Sequence, residues 1–426
     1  MSSQQKFLLL QGPASPFFKK LGLELIKMGH LAWKVNFCGG DKITSLGGVP
    51  QFDYQDKFDN FSDWLTKLFK QYAFTHIILF GDTRPFHTIA INIAKQYNCN
   101  VYVYEEGYLR PDWITLEANG VNGFSQLMHK VANTQWLVNY QANHDVNSYE
   151  TKPSGNNTLL RLFQDLIYRL FTFILYPLYP YYKTYRPRNA AIEYLGWAKH
   201  IPLVRLKRHY EDSIINKLIS EKIPYYFFPL QLTSDAQIRI HSNFKDVTES
   251  INVVINSFAT YASSNAILII KNHPFDTGLV DYQQFIKNCC EQNKLSLERV
   301  LYIENGKIPV LLENTLGTIV VNSTVGLSAL YHKSPTIVLG TAIYNIPNLT
   351  YQGSLDNFWS VTEKPNNLLF EKLKCYLIDH NQINGNFYTK KGISMSIEGS
   401  LKLLHLTYCL PLVDYVNTLL TSPTKL

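Results

Sequence analysis

Cysteines are scarce in this sequence, and no two of them form a Cys-x-x-Cys pair. The chain of 426 residues contains six, without a regular framework. A secreted disulfide scaffold and a cysteine-based zinc site are therefore excluded. We expect a reducing compartment, the cytoplasm. The six are Cys38, Cys99, Cys289, Cys290, Cys375 and Cys409.

Long apolar runs are also missing. No segment offers the roughly 20 uninterrupted apolar residues that a transmembrane helix needs. The apolar stretch in MSSQQKFLLLQG is far shorter than the core of a signal peptide. We expect a chain without an export signal that is soluble or peripheral on a membrane.

The usual metal motifs are absent as well. The sequence has no His-Glu-x-x-His and no Asp-x-Asp, so we predict no metal and no cofactor. The net charge of +7 and the pI near 8.8 suit a polyanionic partner, which by charge alone could be nucleic acid, a nucleotide-linked substrate or an anionic lipid. We predict no nucleic-acid partner, because no recognised module or dense basic helix is present.

What the sequence does have is ample apolar surface in an alternating pattern. Hydrophobic residues make up 46% of the chain, and its length favours two domains. Strand-like runs alternate with helical spacing in both halves. The predicted strands are 7–10, 32–37, 76–80, 101–104, 225–229, 266–270, a segment near 300 and 319–321; the predicted helices are 17–28, 89–97, 247–261 and a segment after 281.

This alternation predicts a parallel, doubly wound sheet in each half. The fold class is then α/β of the GT-B type, with two Rossmann-like domains facing across a cleft lined by the carboxyl ends of both sheets. We predict an N-terminal domain over 1–155, an aromatic and basic linker over 156–210, a C-terminal domain over 211–390 and an extension over 391–426.

Two polar clusters follow strands in the second half. Asn322, Ser323 and Thr324 come directly after a buried strand, where a helix N-terminus could bind a phosphate or where the hydroxyls could simply cap the helix. Lys271 and His273 follow another strand and could also bind a phosphate. The alternative for that pair is an ordinary surface loop.

A third cluster begins with Gln231 and contains Asp235, with His241 soon after. Asp235 is a candidate nucleophile, because a carboxylate can attack an anomeric carbon and form a glycosyl-enzyme intermediate. The alternative is an Asx turn or a helix cap.

In the first half, Glu105 and Glu106 end a strand and could supply a general base. The alternative is a salt bridge to nearby Arg110. Asp82 and Arg84 follow another strand and would line the same edge of the sheet, or would belong to an ordinary turn.

The segment 159–208 is rich in aromatic and basic residues, such as Phe173, Tyr176, Lys183 and Arg205. Aromatics beside cations suit a membrane interface with anionic headgroups. The alternative is an interdomain packing element with a solvated basic face.

These motifs together resemble the capsule polysaccharide β-Kdo transferases of the KpsS/LipB type over most of the chain. The resemblance is carried by LLLQGP near the start, FGDTRP, EEGYLRP with the following ITLE, LQLTSDAQIRIHSN, IKNHPFD, NSTVGLSAL and LTYQG. It implies a GT-B enzyme that transfers Kdo from CMP-Kdo to lysophosphatidylglycerol and so starts the linker for capsule polysaccharide.

The resemblance also implies roles for residues. A Gln-x-x-x-Asp motif falls on Gln231 and Asp235 and makes Asp235 the nucleophile of a retaining enzyme; the His-Pro motif puts His273 at the CMP phosphate. Glu105 and Glu106 match the acidic acceptor-side motif, without a choice between them. Other capsule assembly proteins are candidate partners, and the expected location is the cytoplasmic side of the inner membrane.

Two rival functions remain at this point. A non-catalytic scaffold of a capsule assembly and export complex would be indifferent to CMP-Kdo. An epimerase-like enzyme on the same fold would convert a nucleotide sugar without any lipid acceptor.

Overall fold

The computed structural model describes residues 4–142, 151–155, 158–184, 190–232 and 236–406. The described chain forms two compact units. The first, called the N-terminal unit, takes in residues within 1–126, 143–185 and 377–426; the second, the C-terminal unit, takes in residues within 127–142 and 186–376.

Strands and helices alternate along the first part of the chain. They are β1 (Lys6–Leu9), α1 (Phe17–Lys27), β2 (Leu31–Asn36), α2 (Gly39–Ser45), β3 (Gln51–Asp53), α3 (Phe61–Tyr72), β4 (His76–Phe80), α4 (Pro85–Gln96), β5 (Asn100–Glu106) and β6 (Trp113–Ala118).

Helices dominate the middle of the chain before the alternation returns. These elements are α5 (Gln135–Val138), α6 (Thr158–Ile174), α7 (Ala190–Ser220), β7 (Tyr225–Pro229), α8 (Ala236–His241), α9 (Val247–Tyr261), β8 (Ile267–Lys271), α10 (Tyr282–Gln292), β9 (Val300–Ile303), α11 (Ile308–Asn314), β10 (Gly317–Val320), α12 (Val325–Tyr331) and β11 (Thr336–Val338). The last elements are α13 (Leu355–Phe358), α14 (Asn367–His380), β12 (Gln382–Asn384) and α15 (Lys390–Leu403).

The sheet of the N-terminal unit has the strand order β12-β6-β5-β4-β1-β2-β3. Strands β1 to β5 pair in parallel, whereas β6 runs antiparallel to both β5 and β12. The central strand β1 is apolar at successive positions because helices cover both faces of the sheet, and Phe7, Leu8 and Leu9 are fully buried.

The sheet of the C-terminal unit has the order β11-β10-β7-β8-β9, with every pair parallel. Strand β7 lies in the middle, and all five of its residues are buried. The carboxyl ends of β10, β7 and β8 are therefore neighbours, which is where open α/β sheets bind ligands.

The predicted α/β fold with two doubly wound Rossmann-like units is confirmed. The strands predicted over 76–80 and 225–229 and the helix over 247–261 have the predicted bounds. Strand β6 departs from the all-parallel expectation: it follows β5 through a short turn, and only an antiparallel partner can return to the sheet so quickly.

The division of the chain differs from the predicted domain boundaries. The segment 156–210 is no separate linker, because α6 packs on α2 of the N-terminal unit whereas α7 belongs to the C-terminal unit. The predicted extension from 391 is also incorrect for its described part. Strand β12 pairs with β6, and α15 packs against α1, so the chain returns to the N-terminal unit well before residue 391.

Candidate functional site

The carboxyl edge of the C-terminal sheet carries a buried amide pair. Gln231 follows β7 and donates from Nε2 to Oδ1 of Asn322 at 3.0 Å, while its Oε1 accepts from the Asn322 backbone N–H at 3.3 Å. Asn322 follows β10 and donates from Nδ2 to the carbonyl oxygen of His241 at 3.0 Å. Because both amides are buried and satisfied, they fix the start of the segment between β7 and α8.

Three predicted site residues, Gln231, Asn322 and His241, are thus brought together. The His241 ring is buried, and burial lowers its pKa. Asp235, the predicted nucleophile, lies outside the described residues, as do its neighbours Thr233 and Ser234. The described elements on either side of these residues are Gln231 and α8.

The end of β8 carries a second polar cluster. Lys271 is buried and donates from Nζ to the carbonyl oxygens of Asn272 and Glu304, each at 3.2 Å. Burial lowers the pKa of Lys271, while the charges of Glu304 and Glu211 raise it. The surface-loop alternative is therefore incorrect for Lys271, whose ammonium group holds the loop after β8 to the loop after β9.

Glu304 connects several elements at this edge. Its carboxylate accepts from Nδ2 of Asn272 at 2.9 Å and from the Tyr302 hydroxyl at 2.9 Å, and it lies 3.4 Å from Nε2 of His200. The backbone N–H groups of Glu304 and Asn305 in turn donate to the buried carboxylate of Glu211 in α7. The loops that present His273 are therefore tied to both β9 and α7.

The imidazole of His273 is half-buried at the same edge. Its Nδ1 accepts from the backbone N–H of Phe275 at 3.1 Å. A neutral ring with this bond carries its proton on Nε2, because the two nitrogens cannot both accept and one must donate. His273 can then present an N–H donor to an anion.

The turn after β10 supports the capping alternative for Ser323. Its Oγ accepts from the backbone N–H of Val325 at 3.2 Å, and its carbonyl oxygen accepts from the Tyr344 hydroxyl. Thr324 stands at the N-cap of α12 without a side-chain capping bond. Both residues are half-buried, so their hydroxyls stay within reach of the sheet edge.

The two glutamates that end β5 have different surroundings. Glu106 forms an ion pair with Nη1 of Arg161 at 3.1 Å and accepts from the Tyr388 hydroxyl at 3.2 Å. Glu105 accepts from the backbone N–H of Glu106 at 2.9 Å. Arg110 is exposed and donates to the carbonyl oxygen of Gly107 at 3.3 Å. The cation that pairs with Glu106 is therefore Arg161, from α6, and not the predicted Arg110.

Arg84 is anchored to the end of β1. Its Nη1 donates to Oε1 of Gln11 at 3.1 Å, and the guanidinium lies over the Phe80 ring. A methyl group built on Gly81 would lie 3.6 Å from a carboxylate oxygen of Glu105 and 3.9 Å from Nε of Arg84. The carboxylate and the guanidinium thus border one small space at the ends of β4 and β5.

Asp82 stabilises the loops at the carboxyl edge of the N-terminal sheet. It is buried and accepts from the backbone N–H of Val121 at 2.8 Å, and burial raises its pKa. Nearby, the buried carboxyl of Glu117 accepts from the Tyr108 hydroxyl at 2.6 Å and from Ser125. Burial raises the pKa of Glu117 to about 7.

A cavity of about 630 Å³ opens at the ends of β1 and β4 in the N-terminal unit. Gln11 and Arg84 line it together with residues of the segment after α6, among them Tyr181, Tyr182 and Lys183. Its lining combines aromatic rings with three cations and one carboxylate, Asp59, and the excess of cations suits an amphiphilic anion.

In the ranges the structure covers, no helix is long and apolar enough to cross a membrane. Within those same ranges, no cluster of three or more His, Cys, Asp or Glu side chains is arranged to hold a metal ion. The expected absence of a metal stays an expectation.

Sequence reasoning missed several residues of these clusters. Glu304 follows β9 directly, so the same strand-end rule that selected Lys271 could have found it. Arg161 and Tyr388 reach Glu106 from α6 and from the loop before α15, and no short-range pattern connects such distant positions. Glu117 is the fifth of the six residues of β6, and its burial leaves no periodic signal in the sequence.

A protein with two doubly wound α/β units and polar clusters at the carboxyl ends of their strands belongs to the GT-B fold class. Residues 75–388 match the model of the family described as capsule polysaccharide biosynthesis protein. The chain belongs to this family.

Relatives over nearly the whole length agree with that assignment. The capsule polysaccharide modification protein LipB of Neisseria meningitidis serogroup A is 35% identical over 406 residues, covering 92% of this chain and 93% of that protein. The capsule polysaccharide export protein KpsS of Escherichia coli is 36% identical over 387 residues, covering 91% of this chain and 97% of that protein.

Among solved structures, the β-Kdo 2,7 transferase KpsC of Thermosulfurimonas dismutans matches with 15% identity and a TM-score of 0.42, covering 94% of this chain and 100% of that one.

Proposed function

We propose that this protein is a retaining glycosyltransferase that moves β-Kdo from CMP-Kdo to lysophosphatidylglycerol and so starts the linker for capsule polysaccharide. Family membership supports a role in capsule polysaccharide biosynthesis, and the resemblance of its motifs to β-Kdo transferases implies the sugar, the nucleotide and the lipid. We place the reaction at the cytoplasmic face of the inner membrane.

The observation that carries the proposal is the amide pair of Gln231 and Asn322. It fixes the start of the segment that contains Asp235 to the carboxyl edge of the sheet, beside the end of β8 that presents His273. A nucleophile and a phosphate donor on neighbouring strand ends can meet one nucleotide sugar.

In the first step, the Asp235 carboxylate attacks the anomeric carbon of Kdo. The bond from that carbon to the phosphate oxygen breaks, and CMP leaves with the bonding electron pair. His273 donates its Nε2–H to the phosphate, with the hydroxyls of Ser323 and Thr324 as further donors. Lys271 acts as a positioning residue, because backbone carbonyls hold its ammonium group.

In the second step, a lipid hydroxyl attacks the same carbon and expels Asp235. Its proton passes to a carboxylate on the acceptor side. We assign this base to Glu105, whose carboxylate borders the small space beside Gly81, whereas Glu106 is held in an ion pair with Arg161. Two inversions at one carbon retain its configuration.

The test is transfer by purified protein. Wild type is incubated with CMP-Kdo and lysophosphatidylglycerol, and the lipid is analysed by mass spectrometry. We expect a Kdo-lipid product that Asp235→Ala abolishes. The matched control is Asp212→Ala, which removes a carboxylate of the same unit whose side chain is 47% exposed and should leave transfer unchanged.

The outcomes separate the rival functions. No product from folded wild type with any lysophospholipid would favour a scaffold. Conversion of the nucleotide sugar without acceptor would favour an epimerase-like enzyme. Undiminished transfer by Asp235→Ala would refute the nucleophile assignment.

A further inference from the structure

Helix α6 packs with its polar face inward. Tyr168 donates to the buried carboxylate of Asp41 at 2.9 Å, Thr172 accepts from the backbone N–H of Gly40 at 3.2 Å, and Arg161 forms the ion pair with Glu106. These three positions lie on one face of the helix. A helix of a soluble domain normally turns its apolar face to the core, so α6 is inverted.

The opposite face of α6 is apolar and exposed. Leu166 and Leu170 are about half exposed, at 51% and 49%, and Phe173 is 80% exposed. Leu159 and Phe163 continue the same stripe toward the start of the helix. An exposed apolar stripe of this length marks a surface that another apolar phase covers.

The aromatic and basic segment after α6 indicates which phase that is. Tyr176 and Tyr181 are exposed, and Nζ of Lys57 lies 6.0 Å from the centre of the Tyr181 ring. Tyrosines and lysines beside an apolar face are typical of the boundary between lipid and water.

The same segment forms one wall of the 630 Å³ cavity. Lys57 and Lys183 line the cavity, while the buried Gln11 and Arg84 provide polar groups at the strand ends. Arg84 also borders the space beside Gly81 that Glu105 shares. Tyr176, two residues past the end of α6, lines the cavity as well, so the cavity extends from the segment next to α6 to Arg84.

We propose that the apolar face of α6 lies on an anionic lipid surface and that a single-chain phospholipid enters this cavity from it. Its phosphate would meet Lys57, Lys183 and Arg84, and its glycerol hydroxyl would approach Glu105. This inference rests on the proposed function and names the site where the lipid acceptor binds.

The first test is flotation with vesicles. Wild type should bind vesicles that contain phosphatidylglycerol more strongly than neutral ones. The variant L166S/L170S/F173S should lose about 100-fold or more in partition, since each CH₂ group moved from water to lipid changes partition about fourfold. The control L46S/L297S/L368S changes three exposed leucines elsewhere and should bind as wild type does.

The second test uses a short-chain lysophosphatidylglycerol that stays monomeric. The α6 variant should transfer Kdo to it at the wild-type rate but fail on acceptor in vesicles. Lys183→Glu should raise KM for the short-chain lipid about tenfold with kcat preserved, because it reverses one charge in the cavity. Lys70→Glu, an exposed lysine on α3 of the same unit, is the matched control.

These experiments give different results depending on whether this inference or the proposed function is wrong. If wild type makes no product even from the monomeric lipid, the proposed function fails. If product forms but the α6 variant matches wild type on vesicles, the lipid-surface assignment is refuted. A dimer that the α6 variant converts to monomers would assign the apolar face to a second copy. An unchanged KM for Lys183→Glu would refute the cavity as the acceptor site.

Discussion

Replacing Glu117 by Gln should stabilise the N-terminal unit, and the gain should grow with pH. Burial raises the pKa of this carboxyl from 4.5 to about 7, so the folded protein favours the protonated form. The Gln side chain keeps the shape of that form. The Tyr108 and Ser125 hydroxyls, which now bond the carboxyl, can bond the amide as well.

The sign and size of the change in the free energy of unfolding follow from the linkage between proton binding and folding. The folded-state pKa lies above the unfolded one, so the contribution of Glu117 is fully present below about pH 4.5 and is lost as the pH rises through about 7. A shift of this size corresponds to about 3 kcal/mol in total, of which about 2 kcal/mol falls between about pH 5.5 and about pH 8.

Thermal unfolding at several pH values measures the effect. A unit of this size shifts its Tm by about 2–4 °C per kcal/mol. The Tm difference between Glu117→Gln and wild type should therefore increase by about 4–8 °C between about pH 5.5 and about pH 8. Glu24→Gln, a carboxylate in an exposed ion pair of the same unit, is the control. A Tm difference that stays constant or shrinks with rising pH would refute the reasoning.

Three further predictions concern the two units. Glu105→Gln should lower kcat for transfer about 100-fold, whereas Glu106→Gln should mainly lower Tm because it breaks a structural ion pair; equal kcat losses would contradict the assignment. Gly39→Ala should loosen α6 and speed its proteolysis, since the new Cβ would lie 2.1 Å from the carbonyl oxygen of Phe171; unchanged cleavage would show that α6 is held otherwise. Asn322→Asp should destabilise the C-terminal unit by about 1–3 kcal/mol in urea unfolding, because a carboxylate oxygen would then face the buried carbonyl oxygen of His241; wild-type stability would count against this buried bond.

Much of the fold was predictable because its strands are buried on both faces. Continuous apolar runs such as 76–80 and 225–229 can be recognised in the sequence as buried strands. Short edge strands such as β3 and β12 have only three residues each, too few to show a period. Their place in the sheet is decided by tertiary packing.

The unit boundaries could not be predicted, since they depend on contacts between distant segments. The apolar content of α6 resembles that of a core helix, and only its contacts reveal that the polar face is the one that packs against the unit. Gly39 and Gly40 permit this close packing because a Cβ at either position would collide with α6. A glycine pair at the start of a helix does not by itself predict that another helix packs closely against it.

At the candidate site, strand-end reasoning found Gln231, His273 and Asn322 because parallel strands bring their carboxyl ends to one edge. The same reasoning could not predict which side chains hold these residues in place. The network from Lys271 through Glu304 to Glu211 joins elements far apart in sequence. Such support is visible only when the strands are in place.

The most direct test of the central claim is intact-mass spectrometry of the protein incubated with CMP-Kdo and no acceptor. The account predicts a mass increase of one Kdo unit, mapped to the peptide that contains Asp235 and absent from Asp235→Ala. Addition of lysophosphatidylglycerol should remove the adduct and yield Kdo-lipid. Formation of product with no adduct at any quench time, together with transfer by Asp235→Ala, would contradict the account.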